Sequence, residues 1–191
     1  MMPSNIKKYL ILTLKTVLAA FVLFFGYYWL FLRPDVLLWK NVKQNEEVLV
    51  IQKNYLSQSR IILVELIKAD VNNPYYPTYL KSTLEILAKI NNSAREKTAK
   101  EITYEPILSL GRKHIRAYNR NILSGIQNIA EKNKIFLKEQ KEFLDSLQSK
   151  NYYEQKDFLV GNKAVVFLTK QTNLILEYDY WLKKITNLKK N

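Results

Sequence analysis

Residues 9–32, YLILTLKTVLAAFVLFFGYYWLFL, form an unbroken apolar run of 24 residues whose single charge is Lys15. As a helix the run would be about 36 Å long, enough to cross a bilayer core with some tilt. Lys15 lies near its start, so the long stem can reach back to headgroups beside Lys7 and Lys8. A cleavable signal has a shorter apolar region, about 7–15 residues, closed by small side chains. Here the small pair Ala19 and Ala20 falls in mid-run and is followed by Phe21, Phe24, Phe25, Tyr27, Tyr28, Trp29 and Phe31. The pattern predicts an uncleaved signal-anchor over 9–32, behind a short N-terminal tail of residues 1–8. Tyr27, Tyr28, Trp29 and Trp39 suit a membrane–water boundary, where a ring can keep one side dry and one side wet.

Orientation rests on a near balance of charge. Lys7, Lys8 and the α-amine stand on one side, Arg33, Lys40 and Lys43 on the other. Lys15 tips the balance toward a cytoplasmic N-terminus. This places a single-pass protein in the inner (cytoplasmic) membrane, with its main domain extracytoplasmic. A juxtamembrane segment over 33–40 and one helical domain over 41–191 complete the expected organisation, since about 150 residues is an ordinary length for one core.

The absence of cysteine excludes disulfides, thiolate metal sites and thiol nucleophiles. Of the 30 Lys and Arg residues three precede Thr16, so 27 face 17 Asp and Glu beyond it, a surplus that favours anionic partners. The bland reading is a lysine-rich composition spread over solvated helix faces.

Beyond the span the dominant signal has a period of seven. Leu108, Ile115, Ile122, Ile129, Phe136 and Phe143 form one row. Leu123, Ala130, Leu137 and Leu144 form a second, and Asn119, Ile126, Asn133, Gln140 and Leu147 a third. Such rows predict one long helix, about 44 residues from Pro106 to Lys150, packed at a shallow angle against others. Val48, Tyr55 and Ile62, beside Leu49, Leu56 and Leu63, mark a helix over 41–70. Leu80, Leu84, Leu87 and Ile90 mark another, and Ser93 with Glu96 reads as a capping box opening a separate segment to about Tyr104. A last helix runs over 162–188, with turns at 72–74, 91–92 and 161–162. The fold class predicted is all-α: a single N-terminal transmembrane helix followed by an up-and-down bundle of long heptad-patterned helices.

Little chemistry is encoded. Only four glycines are present, none at phosphate-loop spacing. His114 is the sole histidine, which excludes a di-iron site built from Glu-x-x-His pairs. Glu46 with Glu47, and Glu139 with Glu142, lie among lysines as solvated carboxylates. The expectation is a protein that is not an enzyme, with no catalytic residue, cofactor or metal. Asn119, Asn133 and Gln140 interrupt an apolar row; they either fix register or oligomeric state, a homo-oligomer included, or drift to a wet helix edge.

Two surfaces are candidates. Arg112, Arg116 and Arg120, spaced by four, form a ridge suited to phosphate or carboxylate. The alternative is pairing with Glu85, Glu101 or Glu105, and nucleic acid is disfavoured because no reading motif accompanies the arginines. Tracing the helices out and back sets this ridge, with Lys183, Lys184, Lys189 and Lys190, at the membrane-proximal end as a contact for anionic headgroups. The same tracing gathers Tyr75, Tyr76, Tyr79, Tyr152 and Tyr153 at the distal tip, as a partner-binding surface or as a plug of the core. The functional expectation is a membrane-anchored scaffold or assembly subunit of a cell-envelope complex, acting by protein–protein docking. The alternative is a ligand-sensing bundle relaying through a membrane partner.

Overall fold

In the computed structural model, which describes residues 4–70, 72–98 and 106–190, the chain is all helical; no strand occurs among the described residues. Helix α1 spans Ser4–Tyr27 and α2 spans Arg33–Lys68. Between them Tyr28–Leu32 is a π turn, not a break. Pro34 is the cause: it donates no amide hydrogen, and its ring crowds the carbonyl four residues back. The helix widens by one residue instead of ending, with the Arg33 amide donating to the Tyr28 carbonyl. The expected juxtamembrane segment over 33–40 is therefore helix, and Leu38 within it is already core.

The consequence is a rod of 58 residues from Ile11 to Lys68 whose apolar window is wholly unburied within the chain. It measures roughly 87 Å, of which the α2 part, about 54 Å, stands beyond the apolar run.

Helix α3 is Tyr76–Thr98, α4 is Lys113–Ala117, α5 is Ser124–Gln148, α6 is Tyr152–Val160 and α7 is Asn162–Lys190. A second π turn, Tyr118–Leu123, joins α4 to α5 without interruption. Helix α2 packs on α3 and α7, and α5 packs on the same two, so α2, α3, α5 and α7 form a square, up-and-down four-helix bundle.

Three expectations are corrected here. The long helix starts at Lys113, not Pro106, because the chain turns at Leu110 and Gly111, both at positive φ. The expected turn at Asn91 and Asn92, and the new start at Ser93, lie inside the unbroken α3. Leu87, Asn91 and Ala94 continue its buried face at helical spacing, and that packing outweighs a cap worth about 1 kcal/mol. Helix α6, not expected, is opened by a capping box in which Asn151 accepts from the Glu154 amide and Glu154 returns to the Asn151 amide.

The α2 face turned to the core repeats every four and three residues: Leu38, Val42, Asn45, Leu49, Gln52, Leu56, Ser59, Leu63 and Leu66, all buried. Its polar members recur at sevens and each meets a buried partner. Asn45 Nδ2 donates to Tyr118 Oη at 2.9 Å, and Tyr178 Oη donates to Gln52 Oε1 at 2.6 Å. Gln140 Nε2 donates to Ser59 Oγ at 2.5 Å, and Gln171 Nε2 bridges Leu56 O at 3.1 Å and Ser59 Oγ at 3.3 Å. Asn133 and Gln140 are thus interior, not at a wet edge. Buried polar groups of this kind single out one register, because a slipped helix would strand them in apolar surroundings.

Candidate functional site

The two ends of the bundle are chemically different. At the end next to the span, the turn of residues 109–112 is closed by the Arg112 amide donating to Ser109 O at 2.7 Å. Asn119 holds the strand of chain above it, donating to Ile107 O at 2.6 Å and accepting from the Ile107 amide at 3.1 Å. Arg112 therefore leaves the turn aimed at the rod. Its guanidinium donates to the carbonyl of Phe31 in the first π turn, pairs with Asp35, and stands 5.8 Å from the Phe31 ring centre. His114 Nε2 lies 2.9 Å from the other Asp35 oxygen.

Asp35 thus has two cationic or hydrogen-bonding neighbours. Its slight burial pushes the carboxyl upward, but the hydrogen bonds from His114 and Arg112, and their charge, outweigh this and hold it below the ordinary carboxylate range. A depressed acid stabilises the fold above its unfolded pKa and ceases to do so as pH falls through the folded value. Below about pH 4 the cluster should therefore loosen. The stability difference between the parent chain and Asp35→Asn should shrink as pH is lowered from 5 to 2; a constant difference would mean that the carboxylate charge is not what holds the turn.

The three arginines of the expected ridge have different surroundings. Arg112 precedes the helix and is committed to Asp35, whereas Arg116 and Arg120 are exposed, with no ion pair among the described residues. Of the alternative partners, Glu101 and Glu105 lie outside the described residues, and Glu85 makes no ion pair among those described. Lys189 pairs with Glu46, which lies about 20 Å along the rod from Leu32, some two Debye lengths from a bilayer ending there. Lys183 and Lys184 are exposed still higher, Lys184 over the Tyr180 ring at 5.3 Å, and the Lys190 side chain lies outside those described. Of these residues Arg112 is the one that touches the end of the apolar run, with Arg116 one helical turn beyond it.

At the distal tip the turn after α2 and helix α6 do meet: Leu66, Asp70, Asn72, Tyr76, Lys156, Leu159 and Val160 line a common crevice of about 140 Å³. Tyr75 is 77 % exposed and Tyr79 40 %, whereas Tyr76 is 3 % exposed and part of the core. Tyr76 is thus a plug and offers no area to a partner. The side chains of Tyr152 and Tyr153 lie outside those described.

One feature escaped the sequence reading. Phe167 stacks on Phe136 at 4.9 Å and on Phe143 at 4.6 Å, and Phe143 meets Phe158 at 5.1 Å. Phe143, Phe158 and Phe167 floor an open groove of about 370 Å³ between α5, α6 and α7, rimmed by Glu139, Glu142, Lys163 and Lys170. Phe136 and Phe143 stood at core spacing and Phe158 and Phe167 in no row, so only the α6–α7 bend at Gly161 reveals that an aromatic edge reaches the surface. No group of three or more His, Asp or Glu able to hold a metal occurs among the described residues.

These features define a four-helix bundle borne on an apolar helix that passes into it unbroken. No family model matches the chain, and no similar curated protein or solved structure was found.

Proposed function

We propose that the chain is a single-pass, signal-anchored protein of the cytoplasmic membrane whose bundle is an extracytoplasmic strut for docking other envelope proteins. The observation that supports this best is the continuity of the rod from Ile11 to Lys68. A helix that continues through its π turn restricts the distance and orientation of whatever the bundle presents, and a polar row that selects one register keeps its partners aligned. Docking is assigned to the distal tip, where Tyr75 and Tyr79 supply exposed aromatic area with polar handles. A C-terminal fusion to alkaline phosphatase, compared with one to a fluorescent protein, reads the compartment. Tyr75→Ala with Tyr79→Ala should abolish co-purification of partners from solubilised membranes while the melting temperature moves by less than about 2 °C. Tyr76→Ala should instead lower stability by about 3–5 kcal/mol, as for other large aromatic core truncations. Retention of partners by the double variant would remove the tip from the reading.

A sensing role is favoured by one observation, the Phe143–Phe158–Phe167 groove, whose rim carries two carboxylates, Glu139 and Glu142, against two lysines, Lys163 and Lys170, and so suits a small apolar ligand with both donor and acceptor groups. The two readings part on purified material: a scaffold brings stable protein neighbours, whereas a sensor shows saturable small-molecule binding lost in Phe143→Ala.

A further inference from the structure

The lower turn of the bundle carries a combination that packing among the described residues does not explain. Leu108 is 63 % exposed and Leu110 46 %, on a connection whose preceding residue, Ile107, is core. Leu110 also has φ of 39°, a left-handed conformation that glycine or asparagine adopts at lower cost. The following Gly111, at φ 83°, is the residue type this backbone asks for. A leucine is thus held in a strained backbone with its side chain facing water, two costs on one residue.

Its surroundings say what would relieve the second cost. The guanidinium of Arg112, two residues on, is bound to the Phe31 carbonyl and to Asp35, and Phe31 is in the last turn of the apolar run. The turn of residues 109–112 therefore sits at the height where the span leaves the hydrocarbon. The Asn119 side chain clamps the connection above it at Ile107, so the two leucines are presented at a fixed depth. Arg116, exposed and about 6 Å higher along α4, stands where phosphates would lie.

We infer that the 108–111 connection is a second membrane contact, an apolar wedge in which Leu108 and Leu110 enter the acyl–headgroup boundary beside the span. The partner is lipid; the inference rests on the anchor reading of residues 9–32. Two apolar side chains at the boundary, added to a spanning helix, would not set affinity. They would fix the rotation of the rod about its own axis and hold the bundle upright, since a single helix leaves both free.

The chain has no cysteine, so single-cysteine variants can be labelled cleanly with an environment-sensitive fluorophore in the full-length protein. The variants are Leu108→Cys, Leu110→Cys, Phe21→Cys within the span and Ile86→Cys, an exposed apolar position on α3. In phosphatidylcholine–phosphatidylglycerol proteoliposomes, labels at 108 and 110 should be quenched by a shallow lipid nitroxide several-fold more than the label at 86, and shielded from aqueous iodide. The label at 21 should respond to a deep nitroxide. If 21 is in lipid while 108 and 110 respond to iodide like 86, the wedge is overturned and the anchor stands. If 21 also responds like 86, the anchor reading fails and the wedge falls with it. Arg112→Gln should move the labels at 108 and 110 toward water without moving 21; no movement would overturn the role of the Arg112 tether in setting depth.

Discussion

Tyr178→Phe is expected to destabilise the bundle by about 1–3 kcal/mol, the cost of leaving a buried polar group without its partner. The Tyr178 hydroxyl donates to Gln52 Oε1 at 2.6 Å, with both side chains buried, and Gln52 Nε2 has no hydrogen-bond partner among the described residues. Removing the hydroxyl leaves the Gln52 amide buried with neither end satisfied. Tyr178→Ala adds a cavity and should cost roughly 3–5 kcal/mol. Two further variants separate polarity from packing. Tyr180→Phe, on the neighbouring exposed residue, should be silent within about 0.5 kcal/mol. Gln52→Leu with Tyr178→Phe should recover most of the loss, because an apolar pair of similar shape has nothing left to satisfy. Chemical denaturation of the full chain in mild detergent measures all four. Equal effects of Tyr178→Phe and Tyr180→Phe would mean that the buried hydrogen bond contributes nothing.

The same reasoning explains why the polar row exists although each rung could be leucine. Leu38 and Leu66 occupy the row at either end, with Asn45, Gln52 and Ser59 between them. The rungs meet unlike partners: Tyr118, Tyr178, and the pair Gln140 and Gln171. A slip of α2 by one heptad would set a leucine against one of these and a polar group against an apolar layer. An all-leucine row would hold the bundle as firmly but admit several alignments.

This row also shows how far the sequence could be read. The rows headed by Leu108 and Leu49 were visible because Leu, Ile and Phe announce a buried face, although Leu108 itself precedes the helix and is exposed. Asn45, Gln52 and Ser59 occupy the same face at the same spacing but are invisible to a count of apolar residues. The juxtamembrane segment expected over 33–40, where Pro34 stands, and the Ser93–Glu96 pair erred in the opposite way, by placing a boundary inside a helix. A π turn absorbed the proline, and burial of Asn91 and Ala94 on either side of Ser93 overrode the pair. The Asn151–Glu154 capping box was a true local signal of the same kind and marks α6. Arg112 was legible as an unusual residue but not as a tether, because Asp35 is 77 positions away and no short-range pattern links them. Tyr76 differed from Tyr75 only in which way the first turn of α3 faced.

The sign of a glycine substitution provides the second large effect. Gly125 stands in the first turn of α5, where alanine would ordinarily stabilise a helix by about 0.5–1 kcal/mol. Here an added Cβ would overlap the benzo ring of Trp181, whose indole lies across the glycine from α7. Gly125→Ala is therefore expected to destabilise by about 1–3 kcal/mol, as overpacked sites do, because the ring must leave its seat or push α7 away from α5. The ring is half-buried and could swing outward, which would expose its apolar face and draw the last turns of α7 from the bundle. Tryptophan fluorescence should then shift to the red, and the Lys189–Glu46 pair at the end of α7 should loosen with it. In a Trp181→Ala background nothing opposes the new methyl, so the same Gly125→Ala change should become neutral or stabilising. That reversal of sign within one double-mutant cycle separates seating of the indole from any general intolerance of the α5 start. If Gly125→Ala costs as much without Trp181 as with it, α7 is not docked through that ring.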